Sequence, residues 1–480
     1  MKMKKTLSIY LCSLAAMLAT PMALEGEQQK ASQKRNDPPA DPPGKAGLIV
    51  QLERREDSVV NKVSNGPAVH LQGAAVVRED KNAFALRFDG EDDRLVTSNV
   101  RSLLFGKGDM TVSLWIKPVA GGIVLSEAKS MTISPRRWQY NMISISRNGI
   151  LKAGVWTRQH RRSFLVEISI GKVTFGRWHH VVYRYGGQHR LLEGFLDGKR
   201  SPDRDIVALK HSPKQMYFAF GVGSSQKGGL SKTGRFFKGD MKEIRVYNRF
   251  ISDKLIAQLA GKPIEAQAKP WKRSQDKYFL RPGDRILFIG NSITHMAAPQ
   301  LKMLMEDIEK QYPLLAKGED KVTMIERGSG GETCGRGAKR LRGEIKRYKP
   351  TVCVIGYGTC EAGWNSWSNR ALFSCIAMCK QAGVAPVVVG PPPIYEWYKH
   401  PKVDLKKYNR HIEPIFAKCR LIAELEEIPF VDTMTAFKAV DPEENQDLML
   451  DGIHLKPSTY KIMAEALQKT WNFGKPLVAE

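Results

Sequence analysis

The apolar pattern of this chain has two periods, and the switch between them falls near residue 280. Before it, short alternating or β-branched runs recur at 85–88, 110–116, 142–145, 164–168, 179–185, 191–196, 216–222 and 242–247, punctuated by Gly, Asp and Asn. A period of two with frequent turn residues dictates antiparallel strands, and many short ones fold as a sandwich or jelly roll. Leu196-Asp197-Gly198-Lys199 reads as a hairpin, because Asp-Gly tolerates positive φ. A short helix over 251–259, with Ser252 as its N-cap, ends this region. After the switch, strand-length runs at 285–289, 322–325, 352–355, 384–389 and 430–432 alternate with helical runs at 301–312, 338–347, 371–381, 408–426 and 457–470. That alternation gives a mostly parallel sheet covered on both faces. Ligands then bind at the C-terminal ends of the strands. The expected fold class is multidomain: an all-β sandwich at 45–260, a linker at 261–280, and an α/β domain of flavodoxin-like order at 281–480.

The N-terminus sets the expected compartment. Lys2, Lys4 and Lys5 precede an apolar run at 7–17 that is too short to span a bilayer, and small residues follow. Residues 1–23 therefore read as a signal peptide, and the Pro-rich 24–44 as a spacer. The expected location is outside the cytoplasm, periplasmic or extracellular, with no membrane span in the mature chain. The formal net charge is +26, of which residues 45–260 supply +17 and residues 261–480 supply +7. Such an excess attracts polyanions, among them acidic glycans. Six of the seven cysteines lie after residue 330, and no CxxC pair occurs, which argues against structural zinc.

The strand ends of the second region hold the chemistry. Ser292 follows a buried strand behind Gly290-Asn291, where its hydroxyl reaches the rim of the sheet or simply caps a helix. Arg327-Gly328-Ser329-Gly330-Gly331-Glu332-Thr333 is a Gly-rich turn opening a helix, whose free N–H groups suit an anion or a developing oxyanion. A third strand ends in Gly356-Tyr357-Gly358-Thr359-Cys360-Glu361. In Asp451-Gly452-Ile453-His454 the spacing lets the carboxylate turn back on the imidazole. Glu332 and Glu361, as loop carboxylates, are candidate substrate contacts together with Asn291.

Taken in order, these blocks resemble the SGNH (GDSL-type) hydrolases over about 280–475. The resemblance implies a serine esterase with catalytic Ser292, His454 and Asp451. It implies an oxyanion hole built from the N–H groups of Ser292 and Gly331 and the side chain at 360. There the family has Asn, and this chain has Cys360, a weak donor. No metal or organic cofactor is needed for such acyl transfer. The segments MTVSLWIKP, GRWHHVVYRYGG, LEGFLDGKR and MKEIRVYNRFISDKLIAQL resemble successive strands of the laminin-G-type, concanavalin A-like jelly roll, with ALRFDGEDDRLV as its opening strand. In related jelly rolls, positions like Asp89, Asp92, Asp93 and Glu243 hold a Ca²⁺, whose oxygen preference they fit.

The expected function is removal of O-acetyl or similar acyl groups from a polysaccharide by an exported esterase, with a glycan-binding jelly-roll module. The alternative is a non-catalytic glycan-binding protein whose hydrolase domain is degenerate at Cys360. Nucleic acid is not an expected partner. Arg136, Arg137, Arg147, Lys152, Arg158, His160, Arg161 and Arg162, interleaved with Trp138 and Trp156, form a basic aromatic cluster suited to an acidic glycan or to a solvated sheet face. Adjacent strand ends can bring Cys334 near Cys360, so a disulfide there competes with a free Cys360 in the oxyanion region.

Overall fold

The computed structural model describes residues 47–471 except 56–57, 79–82, 102–108, 132–138, 160–161, 187–188, 208–214, 224–235, 262–279, 312, 320, 397, 399–402 and 441–446. The expected signal peptide and spacer, most of the linker, and Arg136, Arg137, Trp138, His160 and Arg161 lie outside the described residues.

The first region is entirely antiparallel. Its strands are β1 (Leu48–Arg55), β2 (Ser58–Asn61), β3 (Val69–Gln72), β4 (Ala75–Arg78), β5 (Phe84–Asp89), β6 (Arg94–Thr97), β7 (Met110–Pro118), β8 (Gly122–Ala128) and β9 (Gln139–Ile145). They continue with β10 (Ile150–Gln159), β11 (Arg162–Lys172), β12 (His179–Gly186), β13 (Leu191–Leu196), β14 (Lys199–Arg200), β15 (Asp205–Ile206), β16 (Tyr217–Phe220) and β17 (Lys238–Tyr247). One sheet runs β14-β13-β12-β7-β17-β1-β2, with β15 on β13 and the β4–β5 pair on β17; the other runs β11-β10-β9-β8-β16-β6-β3. Period-two alternation builds the core. Val112, Leu114 and Ile116 of β7 join Val181 and Tyr183 of β12 to meet Ile143, Ile145, Leu151 and Ile168 of the second sheet. The Asp197-Gly198 turn has φ of 52° and 79°, and Leu196 pairs with Lys199 across it.

Several strands were not legible in the sequence, β8 and β10 among them. β8 opens with the apolar run Ile123–Leu125 and lacks alternation there, so periodicity alone cannot assign it to strand or helix. β10 carries Lys152 and Trp156 of the expected basic cluster, and the sheet engages both. Lys152 reaches Glu167 at 3.8 Å, and the Trp156 ring lies against Tyr140 at 4.7 Å. The outer face of the first sheet is covered by α1 (Asp253–Leu259), capped by Ser252, whose Ile256 and Leu255 pack on Val182, Phe195 and Tyr247.

The second region has five parallel strands: β18 (Arg285–Gly290), β19 (Thr323–Gly328), β20 (Val352–Gly356), β21 (Ala385–Val389) and β22 (Phe430–Val431). They lie in the order β19-β18-β20-β21-β22. The helices are α2 (Ser292–His295), α3 (Ala298–Gln311), α4 (Pro313–Ala316), α5 (Cys334–Tyr348), α6 (Thr359–Trp364), α7 (Asn369–Gln381), α8 (Leu405–Leu425), α9 (Thr433–Lys438) and α10 (Tyr460–Trp471). Among the described residues no helix is long and apolar enough to cross a membrane. The register brings Gly290 level with Gly328 on one side and Gly356 on the other. The loops after β18, β19 and β20 therefore open at one rim. A Cβ at Gly328 would lie 2.1 Å from the His295 amide nitrogen, so glycine is what lets α2 sit on that strand end.

The two regions touch through charge. Arg204 of the jelly roll is buried between Glu193 of its own sheet, at 3.0 Å, and Glu426 at the end of α8. Its guanidinium lies over Phe373 of α7 at 4.6 Å. Lys380 of α7 bonds Glu426 at 2.6 Å, Arg370 bonds Asp203 at 2.6 Å, and Asn369 donates to Asp205 at 3.1 Å. Leu191 and Ile206 join the apolar cluster of the α/β region. Glu193 also holds Arg184, and burial that would raise its carboxyl is outweighed by Arg184, Arg200 and Arg204, which hold it far below the usual range.

Candidate active site

Ser292 is the first residue of α2, directly beyond β18. Asn291 is its N-cap: the side chain is buried and accepts the Ile293 N–H at 3.0 Å. Asn291 thus shapes the turn. As the first helical residue, Ser292 has an N–H without an intrahelical acceptor. Its Oγ lies 2.9 Å from His454 Nε2, and His454 Nδ1 lies 2.8 Å from Asp451 Oδ2. The other oxygen of Asp451 accepts the N–H groups of Ile453 at 3.0 Å and His454 at 2.8 Å. Burial would raise the Asp451 carboxyl, but these amides and the His454 ring together hold it below its ordinary value. One carboxylate therefore fixes both the loop and the tautomer of the ring. Gly452 makes the loop possible. Its φ is +86°, and a Cβ there would lie 2.7 Å from Leu405 Cδ1 and 2.8 Å from the Tyr395 carbonyl oxygen. The Leu450 N–H closes the turn on the His454 carbonyl at 2.7 Å.

The Gly-rich turn leaves β19 level with Ser292. The Ser329 N–H bonds the Gly290 carbonyl at 2.9 Å, which ties the two loops together. Gly331 has φ +68°, and a Cβ added there would meet nothing within 4 Å. Cys360 stands in the first turn of α6, beyond β20, and is half-buried. Burial first, then the neighbouring Glu361 and Glu332, push its thiol up to about 12. It is a neutral thiol near pH 7, a poor nucleophile and a weak donor.

Three expectations for the α/β domain need correction, and one for the jelly roll. Glu332 does not face substrate: its carboxylate is gripped by Arg340 at 2.8 and 2.6 Å and accepts the Tyr357 hydroxyl at 2.8 Å. Glu361 is 1% exposed and accepts the N–H groups of Cys334 and Gly358. The two carboxylates are internal struts that hold the second and third loops; sequence cannot distinguish a loop carboxylate turned inward from one turned outward. Arg340, eight residues after Glu332, and Tyr357 are positioning residues that the sequence reading missed. The available signal was the pairing of Arg340 with Glu344, four apart on one helix face. The Cys334–Cys360 disulfide is also absent. All six cysteines among the described residues are free, and Cys334 is buried against Cys375, whose hydrogen bond, ahead of burial, pushes its thiol well up.

Tyr408 of α8 joins the site without having been expected. Its ring fills the space beside Gly363, where a Cβ would lie 2.0 Å from Cζ. Burial raises its phenol, with smaller contributions from the charges of Cys360 and Asp451.

In the jelly roll, Asp89, Asp92 and Asp93 bring one oxygen each within 4.8 Å of one another. Glu243 is not part of this group. It accepts from Arg245 at 2.8 Å, and its backbone has a positive φ of 51°. Asp93 is buried and already accepts the Asp89 N–H at 2.6 Å. Three carboxylate oxygens suit a hard cation such as Ca²⁺.

Residues 89–257 match the family model of the concanavalin A-like lectin/glucanases superfamily (Laminin_G_3). Residues 288–462 match that of the GDSL-like lipase/acylhydrolase family. The isoamyl acetate-hydrolyzing esterase of Saccharomyces cerevisiae is 26% identical over 205 residues, 39% of this chain and 85% of that protein. Similar solved structures include LAE5, an α/β hydrolase from the metagenome of Lake Arreo, Spain, at 16% identity over 41% of this chain and 98% of that one, TM-score 0.34. A variant of Axe2, an acetyl xylan esterase from Geobacillus stearothermophilus, is 20% identical over 42% of this chain and 100% of that one, TM-score 0.33. The chain thus joins a jelly roll that matches the concanavalin A-like model over residues 89–257 to an α/β domain that matches, over residues 288–462, the model of the GDSL-like lipase/acylhydrolase family.

Proposed function

We propose that the α/β domain is a serine esterase that removes O-acetyl or similar acyl groups from a polysaccharide outside the cytoplasm. The observation that carries the reading is the hydrogen-bonded chain from Ser292 through His454 to Asp451. In the proposed mechanism His454 takes the Ser292 proton as Oγ attacks the ester carbonyl, and Asp451 stabilises the imidazolium. The N–H groups of Ser292 and Gly331 meet the oxyanion, and Cys360 stands where a third donor would act. His454 then protonates the leaving alcohol. Water activated by the same ring releases the acyl group from Ser292. Similarity to an isoamyl acetate-hydrolyzing esterase supports ester cleavage. The glycan part of the reading rests on the accompanying concanavalin A-like module and its positive charge. Hydrolysis of p-nitrophenyl acetate by the wild type, lost in Ser292→Ala and in His454→Ala, tests the triad. The double variant is expected to be little slower than either single one, because the residues act as a unit. Full activity in Ser292→Ala would overturn the assignment, and an inactive wild type would favour the non-catalytic alternative that Cys360 suggests.

A further inference from the structure

The helix that the Gly-rich turn opens, α5, has an exposed face unlike those of the other long helices. Its outward positions are Arg336, Lys339, Arg342, Gly343, Lys346 and Arg347. At about 3.6 residues per turn they fall within an arc of about 140°, and Arg336 to Lys346 spans about 15 Å of the axis. The opposite face belongs to the core: Cys334 and Leu341 are buried there, and Ile345 packs against the same cluster. The single carboxylate of α5, Glu344, is turned inward and held by Arg327 at 3.0 Å and Arg340 at 3.2 Å. Among the described residues Arg336, Lys339, Arg342 and Lys346 have no ion-pair partner. The sequence of α7, which packs beside α5, contains no carboxylate.

An ordinary solvated helix face mixes its signs. α3 sets Lys302 against Glu306, and α10 sets Lys461 against Glu465, each pair four apart. On α8 the exposed cations share the surface with exposed Glu413 and Glu424. α5 does the reverse, and its local stability suffers in three ways. Arg336 and Lys339, and Lys339 and Arg342, are like charges three apart, and Arg342 and Lys346 are four apart, spacings at which side chains are neighbours and repel. Arg336 lies in the first turn, where the helix dipole disfavours a cation. Gly343 stands within the stripe, where a helix interior favours alanine, and an added Cβ would meet nothing within 4 Å. No contact among the described residues calls for glycine there or for an all-cationic face. An external polyanion accounts for both: it neutralises the repulsion, and the bare backbone at Gly343 lets it lie close between the flanking side chains.

We propose that the outer face of α5 is a docking track for an acidic polysaccharide. Arg336 and Arg342 offer planar forks to sugar carboxylates, and Lys339 and Lys346 add point charges between them. The proposal rests on the glycan reading above and adds a cationic surface on the α/β domain itself, separate from the jelly roll. The accompanying concanavalin A-like module favours a glycan over other polyanions. The stripe exposes no aromatic ring on which a nucleic acid base would stack, since Tyr348 is half-buried and its ring is engaged by Arg327 and Arg347. The apolar side of α5 is committed to the core, so none of it is left to enter a bilayer.

Calorimetric titration of the full chain with polygalacturonate at low salt tests this without turnover. The combined variant Arg336→Gln, Lys339→Gln, Arg342→Gln, Lys346→Gln should bind about tenfold more weakly, the joint effect of four weak exposed pairs. Its affinity should also fall less steeply as salt is added. It should melt no earlier than the wild type, because like-charge repulsion is removed. Gly343→Ala should melt later and bind more weakly. Removing four cations from α8 instead, with Lys406→Gln, Lys407→Gln, Arg410→Gln and Lys418→Gln, should leave binding as it was. Unchanged affinity in the α5 variant overturns the track. An equal loss in the α8 variant overturns it too, because net charge and not the stripe would then govern binding. Wild-type binding that is tighter to a DNA duplex or to phosphatidylglycerol vesicles, and is lost in the α5 variant, overturns the glycan as occupant. A wild type that binds polygalacturonate through α5 yet leaves p-nitrophenyl acetate intact supports the track and removes the esterase reading alone.

Discussion

Replacing Gly452 by Ala isolates what the Asp451–His454 loop costs to build. The structure gives two separate penalties. The first is conformational: at φ +86° an L-residue is strained by about 1–2 kcal/mol. The second is steric: the new methyl would lie 2.7 Å from Leu405 Cδ1 and 2.8 Å from the Tyr395 carbonyl oxygen, about 1 Å inside ordinary contact. Leu405 can shift, but the Tyr395 carbonyl is backbone, and Tyr395 also donates its N–H to the Gly452 carbonyl at 3.2 Å. The relief available is movement of the loop, and the loop carries both partners of Ser292. A displacement of about 1 Å at a catalytic group costs on the order of 10² in rate. Gly383 supplies the control. Its φ is +71°, and a methyl added there would meet nothing within 4 Å, so Gly383→Ala bears the conformational penalty alone. Thermal unfolding and p-nitrophenyl acetate turnover should be measured for both. Both variants should melt earlier, and only Gly452→Ala should lose about 10² in kcat. Wild-type kcat in Gly452→Ala would show that the loop tolerates displacement, and would refute the argument that Gly452 sets the geometry of the triad.

Cys360→Asn should raise kcat by about 10² with little change in KM, since an oxyanion donor tightens mainly in the transition state; a free thiol whose Asn variant is no faster would show that a third donor does not limit the rate. Glu193, held below its ordinary value by Arg184, Arg200 and Arg204, binds fewer protons folded than unfolded. Its contribution is therefore complete above about 4.5 and lost as pH falls below it, so the melting temperature should drop from pH 6 to pH 3 with a shallower slope in Glu193→Gln.

The parts of this fold written in local pattern were readable, and those written in orientation were not. β12, β13 and the Asp197-Gly198 hairpin follow from alternation and turn chemistry, and Ser252 capping α1 follows from its position before an apolar run. The spacing of Asp451 and His454 put the carboxylate within reach of the ring, and the 2.8 Å contact is that reach realised. Glu332 and Glu361 were readable as loop residues but not as inward-facing ones, because the direction of a side chain depends on Arg340 and on the amides of Cys334 and Gly358, contributed by distant parts of the fold. The same holds for Arg204, which in the sequence is one charge between Asp203 and Asp205 and in the structure is buried between domains.

The buried contact of Arg204 with Glu193 and Glu426 also bears on how such a chain can be divided and recombined. A catalytic fragment beginning near residue 281 would turn Phe373 and Glu426 out to water with Arg204 missing. A jelly roll grafted onto another enzyme would carry Arg204 to a partner that offers no carboxylate, leaving a buried cation short of one of its two acceptors, a defect of several kcal/mol. The modules are therefore not interchangeable parts: a functional exchange has to transfer both faces of the seam together, and a truncation meant to simplify the enzyme removes part of what keeps it folded.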